Sequence, residues 1–269
     1  MDHDDLLALF DLRMREEARP DAPDAVVERI GAVVRQTGAA SDWNGVLWSS
    51  LDRATADAAI AEQVRHFTAL GHDVEWTLYG HDEPDDLGER LRTAGFVPEP
   101  AETVMVAGVD DLCHGSEMPE GVTLVDITTA RDVTLLTEVH RAAFGTDPGA
   151  LHARLLRQLD LDTVLMTVAV VDGQPVSAAR LEVSPGTGFA GLWGGGTLPD
   201  WRGRGIYRAL VAHRAAAAAR RGARFLRVDA SEQSRPILLR LGFTALTSTT
   251  PYVRRTAAQW HPTPWDTPA

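Results

Sequence analysis

The spacing of apolar and polar positions divides much of this chain into alternating helices and strands. From Ala54 to Gly71 the apolar residues Ala58, Ile60, Ala61, Val64, Phe67 and Leu70 recur at helical spacing, with Asp52 placed to cap the start and Gly71 to stop the end. Val74, Trp76 and Leu78 then alternate with Glu75, Thr77 and Tyr79, a strand by its period of two. A helix from Pro84 to Ala94, closed by Gly95-Phe96, and a strand from Glu102 to Val109 follow. The same order returns later: helix Gly205 to Arg221 stopped at Gly222, strand Phe225 to Ala230, helix Ser234 to Leu241 closed by Gly242-Phe243, and strand Ala245 to Val253. Two such runs suggest an ancient duplication, although independent α/β units give the same order.

Between the runs, Asp110 to Gly121 carries Gly, Ser and Pro without periodicity and reads as a linker, with a boundary near residue 115. Beyond it the pattern predicts strand Thr123 to Ile127, helical stretches around Asp132 to Phe144 and Leu151 to Leu159, and strands Thr163 to Val171, Val176 to Val183 and Phe189 to Leu198. Gly173 with Gln174 and Pro185 with Gly186 supply short turns, so the last three strands form an antiparallel meander. The expected division is 1–115, 116–255 and a Pro-rich tail 256–269, irregular or packed by Trp260 and Trp265. The fold class is α/β (α+β): two mixed, mostly antiparallel sheets flanked by helices.

Composition narrows the chemistry. An apolar fraction of 44% with 24% charged residues can bury a core. The apolar run Thr163 to Val171 stops short of the roughly 20 residues a membrane helix needs, and the acidic start (Asp2, Asp4, Asp5) is unlike a signal peptide. A soluble cytoplasmic protein is expected, and Cys113, the single cysteine, makes no internal disulfide. There is no lysine, so all 26 basic residues are arginine, and Walker-type phosphate, Schiff-base and catalytic lysines are excluded. The net charge of −12 disfavours nucleic acid, and metal dependence is not expected. Charge is uneven: residues 1–110 hold 9 Arg against 23 acids (9 − 23 = −14), residues 111–269 hold 17 Arg against 15 acids (17 − 15 = +2).

The positive excess gathers where Gly194-Gly195-Gly196-Thr197 leads through Pro199 and Arg202-Gly203-Arg204-Gly205 into a helix, and from Arg202 to Arg227 there are eight arginines and no acid. A strand entering a helix through a tight glycine turn points unpaired N–H groups, with the helix dipole behind them, at one spot, which is an anion cradle. A Rossmann loop needs glycine where Arg208 stands, and a P-loop needs lysine. The stretch instead resembles the acyl-CoA-binding signature of the GNAT superfamily of N-acetyltransferases, Arg/Gln-x-x-Gly-x-Gly/Ala, met by Arg202, Gly203, Arg204 and Gly205, with Tyr207 departing from the small residue usual at the end. The downstream strand, short helix and Leu241-Gly242-Phe243 also match, so the resemblance covers about residues 121–255.

That resemblance implies acetyl-CoA as co-substrate, held between strands Phe189 to Leu198 and Phe225 to Ala230. Its pantetheine would bond along the backbone at Gly195, Gly196 and Thr197, and its pyrophosphate would rest on the amides of Arg202, Gly203, Arg204, Gly205, Ile206 and Tyr207. Three glycines within a strand mark a bulge or close backbone approach, or a simple bend. The tyrosine that many members use to protonate the thiolate falls at Leu238, so that acid is absent. Ser231 stands where an asparagine is common, and Ser234 starts the same helix; each hydroxyl either contacts the cofactor or caps the helix. Glu182, Asp229 and Glu232 are candidates for the base, with deprotonation through water as the alternative. His140 and His152 fall where members build the acceptor pocket, and are otherwise packing residues.

The expected activity is acetyl transfer to a primary amine of a small molecule or peptide; the competing class is a non-catalytic acyl-CoA-binding, sensor or regulatory protein. The N-terminal counterpart of the glycine turn, Trp48 to Thr55, has no glycine and one arginine, and Asp52 places a carboxylate where a phosphate would sit. One acetyl-CoA per chain, in the C-terminal half, is therefore expected. The acidity of the N-terminal half favours a cationic acceptor.

Overall fold

The periodic segments fold as their spacing predicts in the computed structural model, which describes residues 1–22, 24–112, 118–145 and 149–256. Two compact units emerge. Unit 1 holds residues 1–104, 229–232 and the strand segment from Leu246; unit 2 holds Met105–Val228 and Gln233–Ala245. The chain thus returns to unit 1 for its last strand.

Unit 1 begins with α1 (His3–Phe10), which widens into a π-helical turn at Asp11–Glu16. Then come β1 (Val26–Ile30), β2 (Val33–Thr37), β3 (Gly45–Ser49), α2 (Ala56–Leu70), β4 (Val74–Tyr79), α3 (Leu87–Thr93), β5 (Val97–Pro98) and the start of β6 (Glu102–Gly108). Strands β1, β2 and β3 pair antiparallel, and β3 runs parallel to β4 at Gly45↔Glu75 and Val46↔Trp76. The last strand, β12 (Thr244–Arg254), lies antiparallel to β4 and also pairs β5. Ile60 and Phe67 of α2 and Leu87 and Leu91 of α3 bury against Val46, Trp76 and Tyr252. Each such large side chain, fully buried, contributes about 1.5–3 kcal/mol. Helix α3 starts later than Pro84, because Pro84 opens a turn closed by Leu87 N–H donating to the Pro84 carbonyl at 2.8 Å.

Unit 2 comprises the end of β6, α4 (Val109–Leu112), β7 (Val122–Asp126), α5 (Ala130–Phe144), α6 (Gly149–Gln158), β8 (Val164–Val171), β9 (Gln174–Val183), β10 (Phe189–Thr197), α7 (Ile206–Arg220), β11 (Phe225–Ala230) and α8 (Arg235–Arg240). Helix α4 corrects the expected linker, whose first residues are helical: Val109 and Leu112 are buried and Val109 N–H bonds the Arg224 carbonyl. Strands β7 to β10 form an antiparallel meander, and β10 runs parallel to β11. Both faces of the meander are covered. Val133, Leu136 and Val139 of α5 meet Met166, Val168 and Ala178 on one face; Ile206 and Leu210 of α7 meet Ala169, Val171 and Ala179 on the other. That is why β8 is apolar almost throughout.

The architecture is a mixed α/β fold with a mostly antiparallel mixed sheet flanked by helices, its strands following in one hydrogen-bonded order rather than as the two separate sheets expected. No helix among the described residues is long and apolar enough to cross a membrane. Thr256, the last described residue, is tied by its N–H to Asp73 at 2.7 Å; the expected tail with Trp260 and Trp265 lies outside the described residues, as does Cys113.

Candidate acyl-CoA site

Strand β10 is paired on both sides for only part of its length. Its ladder to β11 runs from Phe189↔Phe225 to Gly191↔Arg227, whereas the strand continues to Thr197. On its other edge, pairing with β9 passes from Trp193↔Arg180 to Gly196↔Ala178. Gly194 and Gly195 therefore face one residue of β9, a bulge at the open end of the strand. Gly194 takes a left-handed φ of 56° there.

Two of the three glycines face close neighbours. A Cβ at Gly195 would stand 2.9 Å from Tyr207 Cε2, and one at Gly196 would stand 2.7 Å from a Phe144 ring carbon. Side chains at either position would displace aromatic rings. Thr197 turns inward, its hydroxyl 2.8 Å from that of Ser177, which donates to the Gly196 carbonyl at 2.7 Å.

After β10, a 3-10 turn at Pro199–Trp201 leads to Arg202, whose Nε–H donates to the Thr197 carbonyl at 3.1 Å. Arg204 stacks over the Trp201 ring at 4.5 Å. Gly205, at φ 82°, is the N-cap of α7, and neither a capping side chain nor an acidic residue stands at that helix start. The first intrahelical bond is Ala209 N–H to the Gly205 carbonyl at 3.0 Å, so the amides from Gly203 to Arg208 are left to solvent or an anion, whereas the expected contact at the Arg202 amide is already spent on the Pro199 carbonyl at 3.2 Å. Arg202, Gly203 and Arg204 are exposed beside them.

Two further groups flank the bulge. Helix α5 sets His140 on one side, with Nδ1 buried, without a hydrogen-bond partner and 3.8 Å from the position of a Cβ on Gly194. Burial, with the Arg180 charge adding, holds this imidazole below its ordinary 6.5, so it is neutral at neutral pH. Helix α7 sets Tyr207 and Arg214 on the other side. Arg214 is 1% exposed; its Nε and Nη1 donate to the Leu210 and Arg180 carbonyls at 3.1 and 3.2 Å, while Nη2 meets no acceptor at full hydrogen-bond geometry and the guanidinium's remaining polar neighbour is the Tyr207 hydroxyl. Burial pushes this guanidinium below its ordinary range, and Tyr207 is the one ionisable side chain among the described residues that offsets it. The spacing of Leu210, Arg214, Ala217 and Ala218 on one apolar helix face is the sequence signal for this buried arginine.

The other expected residues lie in different settings. Glu182 accepts from Gln158 at 3.1 Å and pairs with Arg180 at 2.8 Å and Arg154 at 3.8 Å. Asp229 and Ser231 belong to unit 1. There the Asp229 charge joins that of Glu99 in reinforcing burial, which is the main cause pushing the Glu75 carboxyl above its ordinary value. Ser234 occupies the N-cap position of α8, with Pro236 in the first turn, but makes no side-chain cap bond. Leu238 is fully buried in α8. His152 reaches Thr137 at 3.4 Å.

Residues 134–243 match the model of the Acetyltransferase (GNAT) family. Solved structures extend the likeness of fold to most of the chain. A GCN5-related N-acetyltransferase from Kribbella flavida is 19% identical, with a TM-score of 0.65 over 86% of this chain and 89% of that one. A functionally unknown conserved protein from Staphylococcus epidermidis is 14% identical, with a TM-score of 0.70 over 90% and 97%. A tandem GNAT protein from the clavulanic acid biosynthesis pathway is 16% identical, with a TM-score of 0.58 over 94% and 96%. No curated protein matches the chain.

Proposed function

We propose that unit 2 binds acetyl-CoA and transfers its acetyl group to a primary amine of a small molecule or peptide, and that unit 1 is a degenerate GNAT-like module of a tandem, cytoplasmic protein. The observation that carries the reading is the continuity of one strand with one helix start. Strand β10 leaves β11 after Gly191, bulges at Gly194 and Gly195, and feeds an uncapped α7 through left-handed glycines. A pantetheine arm lies along the free edge of β10 at Gly195, Gly196 and Thr197, the last through its backbone, since its side chain is held by Ser177. The pyrophosphate rests on the amides from Gly203 to Tyr207, with Arg202 contributing through its exposed guanidinium because its amide is held by the Pro199 carbonyl; hydrogen bonds to a charged group contribute about 1.5–3 kcal/mol each. Ser234, at the start of α8, is a further contact.

Among the expected catalytic groups, Glu182 is read as fixing Arg180 and Arg154 beneath the site rather than as the base, because it already accepts from Gln158 and pairs with both arginines. Asp229 and Ser231 keep no assigned step, and the amine loses its proton to water.

Purified protein given acetyl-CoA and a panel of amines, with free thiol as readout, tests the proposal. Amine-dependent release of CoA is the expected result. Binding without turnover would instead make the protein an acyl-CoA sensor, the reading that the buried Leu238 favours.

A further inference from the structure

Leaving thiolates need a proton, and the position that supplies it by tyrosine in many proteins with this signature is Leu238, which is fully buried. Another phenol stands at the bulge. Tyr207 is the second residue of α7, half-buried, and its ring lies against Gly195. The carbon bearing its hydroxyl is 3.7 Å from the position a Cβ on Gly195 would take. Arg214 Nη2 comes within 3.6 Å of that same point.

This guanidinium is unusual in its surroundings. It is buried, it bonds two carbonyls, it has no carboxylate partner among the described residues, and its Nη2, short of a full hydrogen bond, is left with the Tyr207 hydroxyl as its polar neighbour. Burying a cation with a donor unpaired costs free energy that packing alone does not require. A phenol oxygen, or a sulfur or oxygen gaining negative charge beside it, offsets that cost.

We infer that Tyr207 is the proton donor to the departing CoA thiolate, and that Arg214 is the positioning residue that holds its hydroxyl at the bulge. The inference rests on the acetyl-transfer reading above. In the step, the amine nitrogen forms the C–N bond to the acetyl carbon and releases its proton to water. The C–S bond breaks with its electron pair on sulfur, the Tyr207 hydroxyl proton passes to that sulfur, and the phenolate is reprotonated from solvent. Phenol and guanidinium are placed here by Gly195, whose missing side chain leaves the ring its room.

The test uses the full chain with the amine giving the fastest turnover. Tyr207→Phe should lower kcat about 100-fold, the scale of a lost general acid, with the acetyl-CoA dissociation constant unchanged. Arg214→Met should lower kcat by a similar factor, and the double variant should fall little further than either single one, as for two residues acting through one proton. An undiminished kcat in Tyr207→Phe, or a loss confined to acetyl-CoA affinity, overturns the assignment of Tyr207. Additive losses in the double variant overturn the role of Arg214. A wild-type protein that binds acetyl-CoA yet releases no CoA with any amine overturns the acetyl-transfer reading itself, and this inference with it.

Discussion

Unit 1 and unit 2 each contain a buried arginine and a strand that turns into a helix, and they treat both features in opposite ways. Arg15 of unit 1 is 2% exposed, like Arg214 in depth, but it holds Asp82 through two bonds of 2.6 and 2.8 Å, Asp11 at 2.8 Å and the Leu47 carbonyl at 3.2 Å. Burial works against its charge, yet Asp82, Tyr79 and Asp11 outweigh it, so Arg15 titrates above its ordinary range while Arg214 titrates below. At the helix starts the contrast repeats. Ahead of α2, Asp52 Oδ1 accepts from Ala54 N–H, Thr55 N–H and the Thr55 hydroxyl at 2.9, 2.8 and 2.7 Å. Ahead of α7 there is only Gly205. At these two features unit 1 supplies its own partners, to Arg15 and to the turn before α2, whereas unit 2 leaves an Arg214 nitrogen short of a full hydrogen bond and the amides ahead of α7 without a protein acceptor. Buried polar groups in proteins are mostly satisfied, so an incomplete set beside a strand bulge is a place a ligand can fill.

If that contrast is right, the two units should respond differently to substitution. The largest effect is expected from Asp82→Ala. Asp82 is a buried partner of Arg15, so its loss leaves the guanidinium with Asp11 as its remaining carboxylate and should cost about 3 kcal/mol in a urea titration, with acetyl-CoA affinity intact. Comparable stability in the variant would mean that the Arg15 network is decorative.

Gly205→Glu should raise the acetyl-CoA dissociation constant by about 100-fold, the loss of one or two charge-assisted bonds. Its left-handed φ adds a stability penalty of about 1–2 kcal/mol for any side chain. Neighbours are no obstacle, since a Cβ there meets nothing nearer than Pro119 Cγ at 3.7 Å. Arg214→Met should leave stability unchanged or raised, the reverse of what removing a partner of Arg15 does, because no counter-charge is stranded. Thermal unfolding of both variants decides this.

The smallest effect is expected from Asp52→Ala: a slight loss of stability and no change in acetyl-CoA binding. Hydrogen bonds from the Thr55 hydroxyl and amide and the Ala54 amide hold Asp52 below its ordinary 3.8. The contribution is therefore complete above pH 3.8 and fades as the pH falls below it, so wild type and variant should converge in acid.

Much of unit 2 was legible from spacing because its elements alternate long apolar helices with strands buried on both faces. The β10 bulge was legible from three adjacent glycines, and the uncapped start of α7 from glycines and arginines meeting a helix. Strands β1 to β3 were not, because β2 buries polar residues with apolar ones: Arg35 is covered by Glu28 and Gln63, and Gln36 bonds Asp21 and the Trp43 carbonyl. That erases the alternation on which a strand is recognised. Glu182 looked like a candidate base because a sequence does not show that Arg180, Arg154 and Gln158 converge on it from β9 and α6. Tyr207 was read through its amide, and the ring that packs on Gly195 only tertiary structure reveals.

The central claim, that the unanswered amides of α7 and not the capped turn before α2 receive the cofactor, is met most directly by calorimetric titration of the full chain with acetyl-CoA, in wild type, Gly205→Glu and Asp52→Ala. The account predicts one molecule bound per chain, severe weakening in Gly205→Glu and none in Asp52→Ala. A stoichiometry of two, or weakening by Asp52→Ala with Gly205→Glu unaffected, would contradict it.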